Sequence, residues 1–283
     1  MTFSNQVLRS LRRARELVSL QQPSVEQLAM DLGLRKGQRD YARFILLGRS
    51  RTGSNYLRSL LNSHPAVRVL GEIFRNNDSL DWGLDGYPDP KRVLPQYQAD
   101  PVGFLERYIF RSLPKQMQAF GFKIFYYHAQ AEPWKRVWHS LRDDPGLRVI
   151  HVKRQNILRT HLSRARAARS NRWVQLSQSG VEEAPIRLDH EECRQDFEKT
   201  RLSEMEFDRF FAGHPILQIA YEELSEDDRR QATRIQEFLG VDGSELVPQT
   251  FKQSREPLAA AISNYAELKR RFLDTEWAGF FEE

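Results

Sequence analysis

Residues 44–65, FILLGRSRTGSNYLRSLLNSHP, run from an apolar strand through a turn of small and basic residues into an amphipathic helix, and this stretch limits the fold more than any other. Such a turn lets the backbone N–H groups of Arg51, Thr52, Gly53, Ser54 and Asn55 converge on an anion at the positive end of the helix, with Arg49 and Ser50 at the entrance. Gly53 has no Cβ, so a ligand can approach the backbone closely. The plainer reading is a strand–turn–helix corner with nothing bound.

The spacing from Gly48 to Gly53 fits the G-x-x-x-x-G of a nucleoside-triphosphate loop, but Ser54 and Asn55 stand where that loop needs Lys and Ser or Thr. The later strand LRVIHV leads into Lys153 and Arg154, where a magnesium-binding site would place an Asp. The expected ligand therefore carries two separated phosphate-like groups and needs no metal, which argues against a kinase or ATPase. Composition agrees. The net charge is +5, and of the 43 basic residues nine are Lys and 34 Arg, the side chain better suited to bidentate phosphate or sulfate recognition.

Buried strands are expected at Phe44–Gly48, Val67–Leu70, Phe120–Tyr126, Leu147–Val152 and Ile216–Ala220, with helical stretches between them. That alternation specifies an α/β fold, a central parallel β-sheet flanked by helices. Residues 41–283 form this domain, and residues 1–40 a helical N-terminal appendage. Within the appendage, Leu8, Leu11, Ala14 and Val18 recur at helical spacing among Arg9, Arg12, Arg13 and Arg15. Such a helix packs on the main domain or touches an acidic membrane surface or a partner. The segment VEQLAMDLGL, started by Ser24, looks like the first helix of a helix-turn-helix, but a strand pattern follows instead of a recognition helix, so no nucleic-acid partner is expected. No apolar run reaches membrane-span length and no secretory pattern opens the chain, which makes the cytoplasm the expected location. The lone cysteine, Cys193, is read as structural. Residues 76–101, rich in Asp, Pro and Gly, read as a surface excursion over the site.

Four segments in order resemble the sulfotransferases that use 3′-phosphoadenosine 5′-phosphosulfate (PAPS), and among them the bacterial carbohydrate branch acting on trehalose, Nod-factor or lipopolysaccharide-type acceptors. GRSRTGSNYL looks like the family's 5′-phosphosulfate loop, HVKRQNILRTHLS its 3′-phosphate strand and helix, and ILQIAYEEL and SREPLAAAISNYAEL its later landmarks. The resemblance implies a P-loop-like sulfotransferase fold, PAPS as donor, adenosine 3′,5′-bisphosphate (PAP) as product, no metal, and a hydroxyl acceptor on a sugar or glycolipid. It assigns donor binding to Arg49, Ser50, Arg51, Thr52, Gly53, Ser54, Asn55, Arg154, Ser163 and Tyr221, with Arg51 also acting on the transferred group. One spacing departs: the family's Arg and Ser are often eight apart, whereas Arg154 and Ser163 are nine apart and Gln155 stands eight before the serine.

A hydroxyl is a poor nucleophile and gains from a general base, typically by about 10² to 10⁴ in rate. Glu72, in LGEIF after the second strand, holds the position that the trehalose-type branch uses for its base. His128, after GFKIFYY, is the alternative by likeness to other sulfotransferases, and Lys123 in that strand is placed to neutralise charge on the bridging oxygen. Residues 74–118 and 164–214 are expected to shape the acceptor site, with Trp82, Tyr87, Trp134 and Trp173 available to stack on a sugar or to fill the core. A non-catalytic PAP-binding module is the rival reading.

Overall fold

A computed structural model of the chain describes residues 36–85, 87–170, 184–248 and 256–282, together with Met30. The helices expected in the N-terminal appendage, and Trp173, lie outside these residues. Five strands, β1 (Ala42–Gly48), β2 (Val67–Leu70), β3 (Ala119–Phe125), β4 (Leu147–Lys153) and β5 (Ile216–Ala220), form one sheet in the order β2-β3-β1-β4-β5. Every pairing is parallel, with Ile45 beside both Phe122 of β3 and Val149 of β4 in the central register. The strands expected from sequence are all present, with bounds within two residues.

The alternation of a strand sorts its side chains between two faces. Phe44 and Leu46 of β1, Val67 and Val69 of β2, and Ile150 and Val152 of β4 pack on one side with Leu57, Leu60 and Leu61 of α1 (Ser54–Asn62). On the same side lie Leu224 of α7 (Tyr221–Glu226) and Ile235 and Leu239 of α8 (Asp228–Leu239). Ile45, Leu47, Phe120, Phe122, Ile124 and Val149 point the other way. They meet α2 (Pro90–Ala99), α3 (Pro101–Phe104), the π-turn at Leu105–Ile109 and α4 (Lys135–Arg142). A third cluster joins α5 (Ile157–Ser170) and α6 (His190–Phe210) to α9 (Leu258–Ala261) and α10 (Tyr265–Phe272). Cys193 is buried there, and burial pushes its thiol up to about 12, in keeping with a structural role.

Connections in a parallel sheet leave the loops after the strands on one edge, and a crevice opens where the chain reverses direction across the sheet. Here β1 is central. The chain leaves it for β2 and β3 on one flank, then crosses to β4 and β5 on the other. The segment expected to be a surface excursion is more ordered than composition implied. Its Trp82 is buried and stacks between Tyr87 and Phe104, while Tyr97 packs against Phe74 and Phe104. Trp82 O accepts the Gly71 N–H at 2.7 Å, and Gly83 O accepts from Arg58 at 2.9 Å, so the segment is tied down beside the end of β2. Among the described residues no helix is long and apolar enough to cross a membrane.

Candidate active site

β1 ends at Gly48, and the loop Arg49–Gly53 turns the chain into α1 through two residues in the left-handed region, Arg51 (φ 70°) and Gly53 (φ 81°). Thr52 is buried and donates its hydroxyl to Arg49 O at 2.8 Å, closing the loop on itself. The N-terminus of α1 has no side-chain cap and no acidic residue in its first turn. Its leading N–H groups and dipole thus favour an anion rather than a carboxylate of the chain. Tyr221 lies directly against Gly53, since a Cβ there would come within 2.3 Å of the tyrosine ring.

On one flank, Arg154 stacks its guanidinium 4.5 Å over the Tyr221 ring and donates to Arg51 O at 3.2 Å. Arg51 Nε in turn donates to Ser163 Oγ at 2.8 Å. Arg154 and Ser163 therefore meet on the same arginine despite their nine-residue spacing, because one ends β4 and the other lies in the second turn of α5. Gln155, by contrast, is exposed, and its N–H is taken by Glu222 at 3.0 Å. Burial lowers the Arg154 pKa, opposed by Tyr221 and Glu222, and among the described residues its buried Nε has no hydrogen-bond partner.

The other flank carries the candidate base. Alternation along β3 turns Lys123 away from Phe122 and Ile124 and toward α1, where Asn55 Oδ1 accepts from its ammonium group. Glu72 follows β2, and its Oε1 lies 2.9 Å from Lys123 Nζ. Burial pushes the Glu72 pKa up, but the charge and hydrogen bond of Lys123, then His128 and Arg75, outweigh it and hold the carboxyl below its usual value. Lys123 is shifted down by burial, against the pull of Glu72. His128 is buried, and its Nδ1 accepts the Phe125 N–H at 3.1 Å, so the neutral ring carries its proton on Nε2. Among the described residues that Nε2 has no hydrogen-bond partner, and it lies 3.6 Å from Glu72 Oε2. Burial, against the pull of Glu72, pushes the His128 pKa down to about 4.

Arg49 is turned from the loop toward α6, where Asp196 and Thr200 accept from its guanidinium. Asp196 also receives Arg164 and His161, the latter at 3.0 Å. Although burial works against it, these partners hold the aspartate down to about 2. Sequence reasoning missed this hub, and it missed a second network in which Tyr126 OH donates to buried His151 at 2.6 Å. His151 Nδ1 reaches Asp208 at 2.7 Å, and Lys153 reaches the same carboxylate at 2.6 Å. A buried-strand histidine in LRVIHVK was visible as a signal, but its partners lie 25 residues upstream and 57 downstream. Of the aromatics available to stack on a sugar or to fill the core, Trp82 is buried, and Tyr87 and Trp134 pack against Trp82 and Tyr97. Those three serve the core.

Residues 43–245 match the Sulfotransferase family, a span that holds the loop, both flanks and α6. The chain belongs to this family. As a sulfotransferase it is an enzyme that moves a sulfuryl group. It is 29% identical over 245 residues to Nodulation protein H of Rhizobium meliloti, covering 84% of this chain and 94% of that protein. Nodulation protein H of Rhizobium tropici is 27% identical over 243 residues, covering 84% and 92%. A sulfotransferase from Alicyclobacillus acidocaldarius aligns in structure with a TM-score of 0.49 at 16% identity, over 81% of this chain and 90% of that one. Among the described residues no group of three or more His, Cys, Asp or Glu is placed to hold a metal.

Proposed function

We propose that this sulfotransferase takes PAPS as donor and a sugar hydroxyl, free or on a glycolipid, as acceptor, with Glu72 as the general base. The observation that carries the reading is the Glu72 carboxylate, ion-paired to a buried lysine across from the open N-terminus of α1. The residues fit a nucleotide bearing two separated anionic groups. The uncapped helix end suits one, while Arg154, whose buried Nε makes no hydrogen bond among the described residues and faces Glu222 Oε1 at 4.0 Å, and Ser163 suit the other.

PAPS, when bound, supplies the sulfuryl group on a leaving phosphate. The chain contributes fixed charge and a proton acceptor. Arg51 and the N–H groups of Gly53, Ser54 and Asn55 hold the negative charge that grows on the leaving side, and Lys123 stands ready for the bridging oxygen. Glu72 Oε1 is committed to Lys123, so Oε2 is the oxygen that takes the acceptor proton. His128 cannot serve as that base while its Nδ1 lone pair accepts the Phe125 N–H. Its Nε2–H faces Glu72 Oε2 and steadies the carboxylate.

Glu72→Gln keeps the hydrogen bond to Lys123 and removes basicity. It should lower kcat by roughly 10² or more with PAP affinity near that of the wild type. A thermal melt of the same variant separates this loss from unfolding. His128→Ala, the paired control, should retain measurable transfer. Near wild-type turnover in Glu72→Gln, with His128→Ala dead and its PAP affinity intact, would pass the base role to His128. Activity in both variants would leave positioning alone to explain the rate.

A further inference from the structure

Trp82, Tyr87 and Trp134 pack into the core, which leaves another aromatic surface at the carboxyl edge of the sheet. Tyr127 is 50% exposed, and no other Phe, Tyr or Trp among the described residues reaches that exposure. It stands in the turn after β3, on the Glu72 side of the loop, opposite the β4–β5 flank that carries Arg154 and Tyr221. Its neighbour in sequence is His128, which faces Glu72 Oε2.

The turn that presents it is held firmly. Tyr126 OH is bonded to His151, the Tyr126 carbonyl accepts from Gln130, and the His128 carbonyl accepts from Trp138 at 3.0 Å. The Tyr127 ring packs perpendicular to His128 at 5.0 Å and tilted to Phe125 at 5.6 Å. Its hydroxyl end is shielded although the ring is half exposed. Burial raises the phenol pKa, the nearby Ser50 hydroxyl and the Arg49 and Arg164 charges oppose the rise, and Glu72 adds to it. The ring is thus fixed against Phe125 and His128, while half of it remains open on the Glu72 side of the loop.

A pyranose is matched to such a surface. One of its faces is a patch of C–H groups with slight positive charge, and an aromatic face is negative, so the two stack while the sugar hydroxyls stay at the rim. A ring already held in place loses little entropy on binding.

We propose that Tyr127 is the floor of the acceptor subsite, on which a pyranose ring lies with one hydroxyl directed at Glu72 Oε2. The proposal rests on the reading of the acceptor as a sugar, and it adds the residue that selects for it.

The test uses the full chain, labelled PAPS, and tetrasaccharides of α- and β-linked glucose and of N-acetylglucosamine, with glycerol as a hydroxyl source that has no ring. PAP affinity is measured by calorimetry in parallel. Tyr127→Ala should raise KM for the sulfated tetrasaccharide about tenfold, in line with the loss of one aromatic contact, with PAP affinity within about twofold. Tyr127→Phe and Tyr127→Trp, which keep a ring face, should stay within about threefold of the wild type. An unchanged KM in Tyr127→Ala overturns the proposal. A parallel fall in PAP affinity does so too, since the ring would then act through Ser50 on the donor loop. If the wild type sulfates glycerol but none of the sugars, the sugar reading itself fails and this proposal with it, a result distinct from failure of the tyrosine alone.

Discussion

Adding one methyl group at Gly53 tests the donor loop most directly. Gly53 sits at φ 81°, and an ideal Cβ there would lie 2.3 Å from Tyr221 Cδ2 and 2.9 Å from Cε2. An L-residue in the left-handed region costs about 1–2 kcal/mol. The Tyr221 ring must also move, and it is the ring that Arg154 stacks on at 4.5 Å, a cation–π contact worth roughly 0.5–2 kcal/mol. Gly53→Ala should therefore destabilise the protein by about 2–4 kcal/mol, which for a domain of this size lowers Tm by about 4–8 °C. Calorimetric titration with PAP should show at least a tenfold loss of affinity, because the methyl group and the displaced ring disturb both halves of the proposed donor site. In a Tyr221→Ala background the clash is gone and only the backbone strain of about 1–2 kcal/mol remains. A cycle of the four proteins isolates the steric coupling. If the two substitutions add within about 0.5 kcal/mol, or if Gly53→Ala melts with the wild type, the close packing of Tyr221 on this glycine is refuted.

Asp196→Ala strands two guanidinium groups, Arg49 and Arg164, that are each more than four-fifths buried. Urea denaturation should show a loss of about 3–5 kcal/mol, and a loss under about 1 kcal/mol would mean that the cluster is solvated. His128 and His151 are both pushed down to about 4 by burial, so between roughly pH 6.5 and 4 the unfolded chain binds protons that the folded chain does not. Their contribution to stability is fully present above pH 6.5 and is lost as pH falls toward 4, with a slope of up to about 2.7 kcal/mol per pH unit for the pair. Replacing His151 by Gln should flatten that slope in denaturation curves taken across this range, and an unchanged slope would count against the buried neutral state. Arg154→Lys keeps the charge but loses the planar stack on Tyr221 and the bond geometry to Arg51 O, so PAP affinity should fall nearly as far as in Arg154→Ala. Full rescue by lysine would show that charge alone suffices.

The sequence alone determined the sheet and the placement of its functional edge. Val67–Leu70 and Ile216–Ala220 were legible to the residue, because a buried parallel strand is a local apolar run bounded by polar turns, and local patterns survive in a linear chain. The loop after β1 was legible for the same reason, since its chemistry depends on neighbours in sequence. Tertiary structure decided what depends on distance between elements. It gave Glu72 and His128 different surroundings, a Phe125 N–H on the imidazole Nδ1 and a lysine on one carboxylate oxygen, and these support the proposal of Glu72 as the base. It drew Arg49 away from the loop to an aspartate on α6, 147 positions along the chain. It brought Arg154 and Ser163 together on Arg51 in spite of their spacing, since α5 carries the serine back over the end of β4. It buried Trp82 and left Tyr127 open. Composition cannot separate these two aromatics, because whether a ring faces core or solvent is set by which helices cover that end of the sheet.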